Sequence, residues 1–155
     1  MFFVIMFASM PHGTNLSPKE IPPSFYRISA KALILDESRT KFLVTQEADG
    51  RWELPGGGID HGEDPHATII RETKEEMGLE VVSVERNPSY FTTFCNVTGF
   101  WMANILYKTK VTDLNFTPSD ECIALRFVTS LEAKELNAFP SVLQFAALFD
   151  PKRHQ

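Results

Sequence analysis

Residues 57–79, which read GGIDHGEDPHATIIRETKEEMGL, contain a helix whose two ends are both marked by local residues. Asp64 is a strong N-cap residue, and Pro65 suits the first helical position because its fixed φ already matches a helix. Gly78 is typical of the residue that follows a helix end. The pattern therefore predicts a helix over residues 65–77, preceded by a glycine-rich loop.

The predicted helix has an acidic front and an apolar back. At 100° per residue, Glu72, Glu75 and Glu76 share a sector of about 100°. A glutamate-rich helix face is commonly a solvated surface, so these three residues alone do not distinguish a surface helix from a metal site. The opposite face, which would pack on a sheet, carries Ala67, Ile69, Ile70, Thr73 and Met77.

The spacing of the charged residues favours the functional interpretation. Gly57, five residues, Glu63, seven residues and then residues 71–79 (RETKEEMGL) reproduce the box of the Nudix hydrolase family. Seven fixed identities at about 7% usage each would coincide roughly once in 10⁸ windows. The chain resembles this family over roughly residues 25–150, although only the box is specific. Thr73 stands where the family usually has an aliphatic residue, and we expect its hydroxyl to bond a helix carbonyl.

The chemistry of a phosphoanhydride also suits these residue types. Its hydrolysis brings water to a phosphorus surrounded by negative oxygens, so a site must neutralise charge and generate hydroxide. Magnesium held by carboxylates does both, and it prefers oxygen ligands. The resemblance implies Mg²⁺-dependent hydrolysis of a diphosphate linkage in a nucleotide or nucleoside diphosphate derivative, with Mn²⁺ as an alternative cation.

The resemblance also implies metal-binding and catalytic roles for individual positions. Glu72, Glu75, Glu76 and the carbonyl of Gly57 would be metal ligands. The general base would be Glu72 or, as in some family members, a glutamate outside the box, for which Glu121 is the candidate at a strand start. Glu121 is equally consistent with an ordinary surface residue.

Further positions would support this cluster or bind substrate. Arg71 would orient the acidic residues, most simply by pairing with Glu75. Glu63 and Gly58 would support the loop or the outer shell of the metal. The candidate substrate-binding residues are Tyr26, Arg27 and Trp52, although most aromatic residues of a small domain belong to its core.

The rest of the chain predicts an α/β fold, an α/β/α sandwich with a mixed central β-sheet, formed by residues 25–155 as one domain. Strands are expected over 26–35 and 41–46, joined as a hairpin, and over 51–54. Two long β-rich stretches, 81–94 and 99–111, and a shorter strand, 122–128, follow. A last helical region has two capping-box starts, at Thr129 and at Ser141.

Residues 1–24 form an apolar N-terminal extension followed by a proline-rich lead-in. The run Met1–Ala8 is too short to span a bilayer and has no basic residue before it, so neither a membrane anchor nor a secretory signal is expected. We interpret it as an accessory strand or an upstream extension of the true start, and its apolar character suggests a homodimer. Only two cysteines occur, Cys95 and Cys122, and both are expected to be reduced and buried in a cytoplasmic protein.

Composition limits the partners. The chain carries 15 basic and 20 acidic residues, a formal charge of −5, and its basic residues are dispersed. A duplex-DNA binder is therefore not expected, because such proteins neutralise phosphates with clustered Lys and Arg. Two alternatives to a hydrolase of small nucleotides stay open, namely pyrophosphate removal from RNA 5′ ends and a non-catalytic nucleotide-sensing module.

Overall fold

The structure is a computed structural model that describes residues 25–155. The apolar extension and the proline-rich lead-in, with the homodimer expectation that depended on them, lie outside the described residues. Within the described part, no helix is long and apolar enough to cross a membrane.

The described chain forms eight strands, three α-helices and a terminal 3₁₀ turn. The first half contains β1 (Arg27–Leu33), β2 (Phe42–Gln46), β3 (Trp52–Glu53), β4 (Gly56–Gly58) and α1 (Pro65–Met77). The second half contains β5 (Val81–Val84), β6 (Tyr90–Cys95), β7 (Trp101–Val111), β8 (Ala124–Val128), α2 (Ser130–Lys134), α3 (Pro140–Leu148) and the 3₁₀ turn Pro151–His154.

The strands form a mixed five-stranded sheet and a three-stranded antiparallel sheet. The larger sheet has the order β4-β1-β7-β5, with β6 also beside β7, and the smaller has the order β3-β2-β8. β1 and β7 are parallel, whereas β4, β5 and β6 pair antiparallel with their neighbours. The expected α/β architecture with a mixed sheet is confirmed, and the three-stranded sheet accompanies it.

The expected hairpin of the first two strands is wrong, because β1 and β2 belong to different sheets. The intervening turn is local as expected, since the Asp36 carboxylate accepts hydrogen bonds from the N–H groups of Thr40 and Lys41. It brings Leu35 opposite Phe42 in a single bridge. Pairing stops there because both edges of β1 are occupied, one by β4 and the other by β7.

Three further expectations need correction. Residues 81–94 form two strands, β5 and β6, interrupted around Pro88, which lacks the N–H that a ladder requires. The Thr129 capping box is present, but α3 begins at Pro140 with no side-chain cap, and the Ser141 hydroxyl instead donates to the Glu53 carboxylate at 2.5 Å. Cys122 is buried, whereas Cys95 is exposed.

Helices cover the sheets on two sides, and alternate residues of the central strands supply the two cores. Leu33 and Leu106 belong to the cluster that includes Phe145 of α3. Ala32 and Tyr107 belong to the cluster around α1. This alternation follows from the period of two in a strand, and it gives the sheet one face toward α1 and one toward α3.

Helix α1 has the bounds that its local residues predict. The Asp64 side chain accepts hydrogen bonds from the N–H groups of His66 and Ala67. Gly78 adopts the left-handed conformation, with a φ of 69°, and its N–H donates to the Lys74 carbonyl. Thr73 is fully buried as expected, but its hydroxyl has no hydrogen-bond partner among the described residues, so the expected bond to a helix carbonyl is absent.

Candidate active site

The acidic front of α1 lies against the glycine-rich strand β4. The N–H of Gly56 donates to Glu76 Oε2 at 3.0 Å. The next residue, Gly57, leaves no room for a side chain, because an added Cβ would collide with the Glu72 carboxylate. Glu72 is only 8% exposed, so this carboxylate is held between the helix and the loop. Two glutamates one helical turn apart therefore contact two consecutive glycines.

Arg71 connects the acidic residues. Its Nε and Nη2 donate to the two oxygens of Glu63, each at 2.9 Å. Its Nη1 donates to Glu72 Oε1 at 2.6 Å and to Glu75 Oε2 at 3.1 Å. The expected pair with Glu75 is present, but the bidentate contact with Glu63 is the more extensive one. Such paired contacts fix the orientation of both groups.

The Glu63 carboxylate is also bonded from the helix. Thr68 Oγ1 donates to Glu63 Oε2 at 2.7 Å, which adds to the two contacts from Arg71. The Arg71 guanidinium and this hydroxyl hold the pKa of Glu63 at about 2, against the opposing effect of burial. The carboxylates of Glu63, Glu72 and Glu75 in turn raise the pKa of Arg71 above its ordinary value. Glu63 is therefore ionised at neutral pH and anchors the loop to α1.

Glu76 is in a different electrostatic environment. The pKa of Glu76 is raised to about 8, chiefly by burial and to a smaller extent by the nearby carboxylates of Glu72 and Glu53, while the Lys31 ammonium and the Gly56 N–H act in the opposite direction. A partly buried carboxylate with this character is costly to ionise without a cation nearby. Such groups occur often at functional sites.

The donor set suits a hard cation. Three carboxylates on one helix face and a backbone carbonyl of a glycine loop are the oxygen ligands that Mg²⁺ or Mn²⁺ takes. The Gly57 position also fits, since a Cβ there would fill the space that the Glu72 carboxylate occupies. Within residues 25–155, no three acidic, His or Cys side chains already converge as a preformed metal cage. The described contacts explain this, because Arg71 holds Glu72 and Glu75 while Gly56 holds Glu76.

A second guanidinium lies on the other side of the loop. A Cβ added at Gly58 would lie 2.6 Å from Arg27 Nη2, so the Arg27 guanidinium packs directly on this glycine. Arg71 Nη2 approaches the Gly58 carbonyl at 3.4 Å. Arg71 is neutralised by its carboxylates, whereas Arg27 forms no ion pair with a carboxylate of the described chain. Arg27 is therefore a cation at the edge of the acidic cluster.

Glu121 lies in a turn before β8, not at the strand start that the sequence suggests, and its side chain is exposed. The turn is tied to α1 through Ser119, whose hydroxyl donates to the Glu76 carbonyl at 2.9 Å. The Glu121 N–H donates to the same hydroxyl at 3.2 Å. Glu121 is thus connected to the C-terminal end of the acidic helix through one residue.

The face of the sheet toward α3 contains a cavity of about 150 Å³ that begins beside the same loop. Lys31 lies between the two features, since its ammonium donates to the Leu54 carbonyl at 3.0 Å and to the Gly56 carbonyl. The residues that line the cavity are Ser29, Lys31, Glu53, Phe94, Asn96, Val97, Met102, Asn104, Phe139 and Pro140.

Sequence reasoning missed most of this cavity. Two aromatic candidates for substrate binding, Tyr26 and Trp52, do not line it. Tyr26 is 43% exposed, with its ring centroid 6.1 Å from that of Trp101, and Trp52 packs against the core on the side of α3. The signal that could have been used is a polar residue inside an apolar strand, namely Lys31 in SAKALIL and Asn104 in MANILY.

Comparison with known proteins identifies the class. The model of the NUDIX domain matches residues 25–149, so the chain belongs to the Nudix family. Among solved structures, the MutT protein from Methanosarcina mazei Go1 matches with a TM-score of 0.68 and 24% identity, covering 84% of this chain and 96% of that one. At that identity the likeness concerns the fold.

Two curated relatives are similar over part of the chain. The putative 8-oxo-dGTP diphosphatase 3 of Mycobacterium tuberculosis is 35% identical over 95 residues, which are 59% of this chain and 43% of that protein. The RNA pyrophosphohydrolase of Brucella ovis is 34% identical over 83 residues, which are 48% of this chain and 45% of that protein. The matches thus cover less than half of each relative's length.

Proposed function

We propose that this protein hydrolyses a diphosphate linkage in a nucleotide or nucleoside diphosphate derivative, with a divalent cation, Mg²⁺ or Mn²⁺, bound at the acidic front of α1. The observation that carries the proposal is the close contact of the Glu72 carboxylate with Gly57, beside Glu76 on Gly56. A solvated surface helix has no need of such an arrangement. Family membership and the names of the relatives support the reaction class.

In this proposal Glu72, Glu75, Glu76 and the carbonyl of Gly57 hold the cation. The bound ion would neutralise phosphate charge and lower the pKa of the attacking water. Ionised Glu76 would be favoured once a cation lies nearby, which accounts for a partly buried carboxylate whose pKa is otherwise raised. Glu75 is exposed, and among the described residues its carboxylate is bonded only by Arg71, so its side chain can turn toward an ion.

Other residues position the cluster or meet the substrate. Arg71 and Glu63 fix the loop against α1, which keeps Gly57 and Glu72 in contact. Arg27, a cation without a carboxylate partner among the described residues, is placed to contact a phosphate group. The general base is Glu72 or Glu121. Replacing each by Gln and measuring the pH dependence of kcat would separate them, because the variant that lacks the base should lose the acid limb of the profile.

The direct test of the site is Glu76→Gln, which keeps the shape of the side chain and removes its charge. We expect kcat/KM to fall at least 10²-fold, comparable with loss of one key electrostatic stabiliser. Mg²⁺ titration by calorimetry should show weaker binding in the same variant. Glu80→Gln is the control, because Glu80 is exposed and, within the part of the chain that the structure describes, its carboxylate forms an ion pair only with Lys74. Unimpaired turnover by Glu76→Gln would place the metal elsewhere.

The class of substrate is tested with a panel of nucleotide compounds. The purified chain with Mg²⁺ is incubated with nucleoside triphosphates, oxidised nucleotides, nucleotide sugars, ADP-ribose, dinucleoside polyphosphates and 5′-triphosphorylated RNA. The Brucella ovis relative favours including RNA ends. Dispersed basic residues argue against a long strand-binding channel. Hydrolysis of RNA alone would favour the RNA alternative, and silence on every substrate would favour a non-catalytic sensor.

A further inference from the structure

Asn104 carries a buried side-chain amide that lacks a hydrogen-bond partner within residues 25–155. It lies in the middle of β7 and is 1% exposed, and neither its Oδ1 nor its Nδ2 has a hydrogen-bond partner among the described residues. Buried side-chain amides are nearly always hydrogen-bonded, so an unpaired one calls for an explanation. The side chain lines the cavity on the α3 face of the sheet, which is where a partner could enter.

Asn104 belongs to a polar floor formed by neighbouring strands. Ser29 of β1 is its register partner across the parallel ladder, and Lys31 follows two residues along β1 on the same face. All three side chains line the cavity, and Ser29 and Lys31 are 4% and 7% exposed. Lys31 already bonds the Leu54 and Gly56 carbonyls, whereas the buried Asn104 amide has no partner among the described residues, which is unfavourable for a polar group. The floor is therefore suited to a polar ligand group.

The walls of the cavity have a different character. Phe94 of β6 and Phe139, which precedes α3, supply aromatic surface, and the volume is about 150 Å³. An engineered apolar cavity of about that size in another protein binds benzene, so the space admits one six-membered ring. Aromatic walls favour a flat ligand, because ring faces and edges pack well against one another. The combination indicates a planar ring with polar atoms on its inner edge.

The chemistry of the floor restricts that edge. The Asn104 amide offers an acceptor and a donor side by side, and its complement is an adjacent donor and acceptor. The Lys31 ammonium only donates, so the ligand atom near it must accept. A carbonyl oxygen has two lone pairs and can accept from both Lys31 and Asn104, whereas an amino group would face the ammonium with its own hydrogens.

We propose that this cavity binds a six-membered heterocyclic ring in which an oxo group adjoins a ring N–H, the lactam edge found in uracil, guanine and hypoxanthine, and that Asn104 and Lys31 together determine this specificity. The inference rests on the proposed function and names the base that the substrate would carry. Lys31 connects the cavity with the acidic cluster. Its ammonium bonds the Leu54 and Gly56 carbonyls of the glycine loop, and Gly57, the residue after Gly56, contacts Glu72.

The test measures binding without hydrolysis. UMP, CMP, IMP and AMP are titrated separately into the metal-free full-length chain, with affinity measured by calorimetry or NMR shifts. We expect UMP to bind at least 10-fold more tightly than CMP, or IMP at least 10-fold more tightly than AMP, which is the effect of about one well-placed hydrogen bond. Comparison of UMP with IMP decides between a pyrimidine and a purine.

Variants test whether Asn104 is responsible. Asn104→Leu should abolish the preference for the oxo base and leave the protein at least as stable, because it removes an unpaired buried amide. Asn104→Asp, nearly identical in shape, should also lose the preference, because its carboxylate cannot donate. The control is Asn115→Leu, an exposed position outside the cavity, which should keep the wild-type preference.

Three outcomes would overturn the proposal. The first is equal affinity for UMP and CMP together with equal affinity for IMP and AMP. The second is a preference for the oxo base that survives Asn104→Leu, as it would if water alone filled the cavity. The third is no saturable binding of any monophosphate. None depends on hydrolysis. A chain that prefers oxo bases but hydrolyses nothing would refute the proposed function while leaving this inference intact, and an active chain without base preference would do the opposite.

Discussion

The two polar regions beside the glycine loop differ in how their polar groups are satisfied. In the acidic cluster, Arg71 bonds Glu63, Glu72 and Glu75, and the Gly56 N–H bonds Glu76. On the cavity floor, the Asn104 amide has no partner among the described residues. The first region is held by bonds within the protein, whereas the second contains hydrogen-bonding capacity that the described part of the chain leaves unused. The ordered carboxylates of the acidic cluster suit a reaction centre, and the unsatisfied amide of the cavity floor suits a recognition pocket.

Gly57→Ala should have the largest effect on the acidic cluster. The backbone at Gly57 is acceptable for alanine, but the added methyl would displace the Glu72 carboxylate. We expect kcat/KM to fall at least 10²-fold with the fold retained by circular dichroism. Gly58→Ala is the matched control, because its methyl meets the movable guanidinium of Arg27 and should cost about 10-fold or less. Equal losses in the two variants would contradict a special role for the Gly57–Glu72 contact.

Arg71→Met should show the next largest effect, this time on stability. It leaves the buried carboxylate of Glu72 and the partly buried carboxylate of Glu63 without their cation, and hydrogen bonds to charged groups contribute about 1.5–3 kcal/mol. We expect a loss of about that size in the free energy of unfolding, measured by urea titration without metal. Lys74→Met, which removes an exposed pair with Glu80 on the same helix, should change stability by no more than about 0.5 kcal/mol.

Two threonine substitutions test the same difference between the acidic cluster and the cavity floor, with smaller expected changes in stability. Thr92 is the register partner of Asn104 on β6 and has a buried hydroxyl without a partner among residues 25–155. Thr92→Val should therefore raise the free energy of unfolding by up to about 1 kcal/mol. Thr68→Val should lower it by about 1 kcal/mol, because Thr68 donates to Glu63. Thermal unfolding of both variants would show the opposite signs, and destabilisation by Thr92→Val would mean that its hydroxyl is satisfied.

The smallest effect concerns acid stability near α3. Burial, with Lys108 and Arg153 nearby, lowers the pKa of His154 below its ordinary value of 6.5, against the opposing effect of Glu85 and Asp150. The unfolded chain therefore takes up a proton at higher pH than the folded chain. The contribution of neutral His154 to the free energy of unfolding is complete above pH 6.5, and it is lost as the pH falls toward the pKa of His154 in the folded chain.

Unfolding curves at several pH values should show this decline in the wild type and a flatter one in His154→Gln. The Tyr90 hydroxyl, 2.9 Å from His154 Nε2, can bond the replacement amide, so the variant should still fold. An unchanged slope in this variant would mean that other groups cause the decline.

Local features explain which parts of the fold were predictable. The bounds of α1 depend on Asp64, Pro65 and Gly78, whose effects act within about four residues along the chain. The acidic face follows from helical geometry alone. Strand pairing depends on which edges are free, and the local turn at Asp36 suggested a hairpin that the occupied edges of β1 do not permit.

The sequence by itself determined the family, the acidic helix and the Arg71–Glu75 pair on it, because the residues concerned lie close together along a single helix and loop. Tertiary structure decided that Arg71 bonds Glu63 with two contacts, since the loop must fold back to bring them together. It also decided the cavity, because Lys31, Asn104 and Phe139 are distant in sequence and meet only when β1, β7 and α3 pack. Side chains on separate elements become neighbours through long-range packing, which no local pattern specifies.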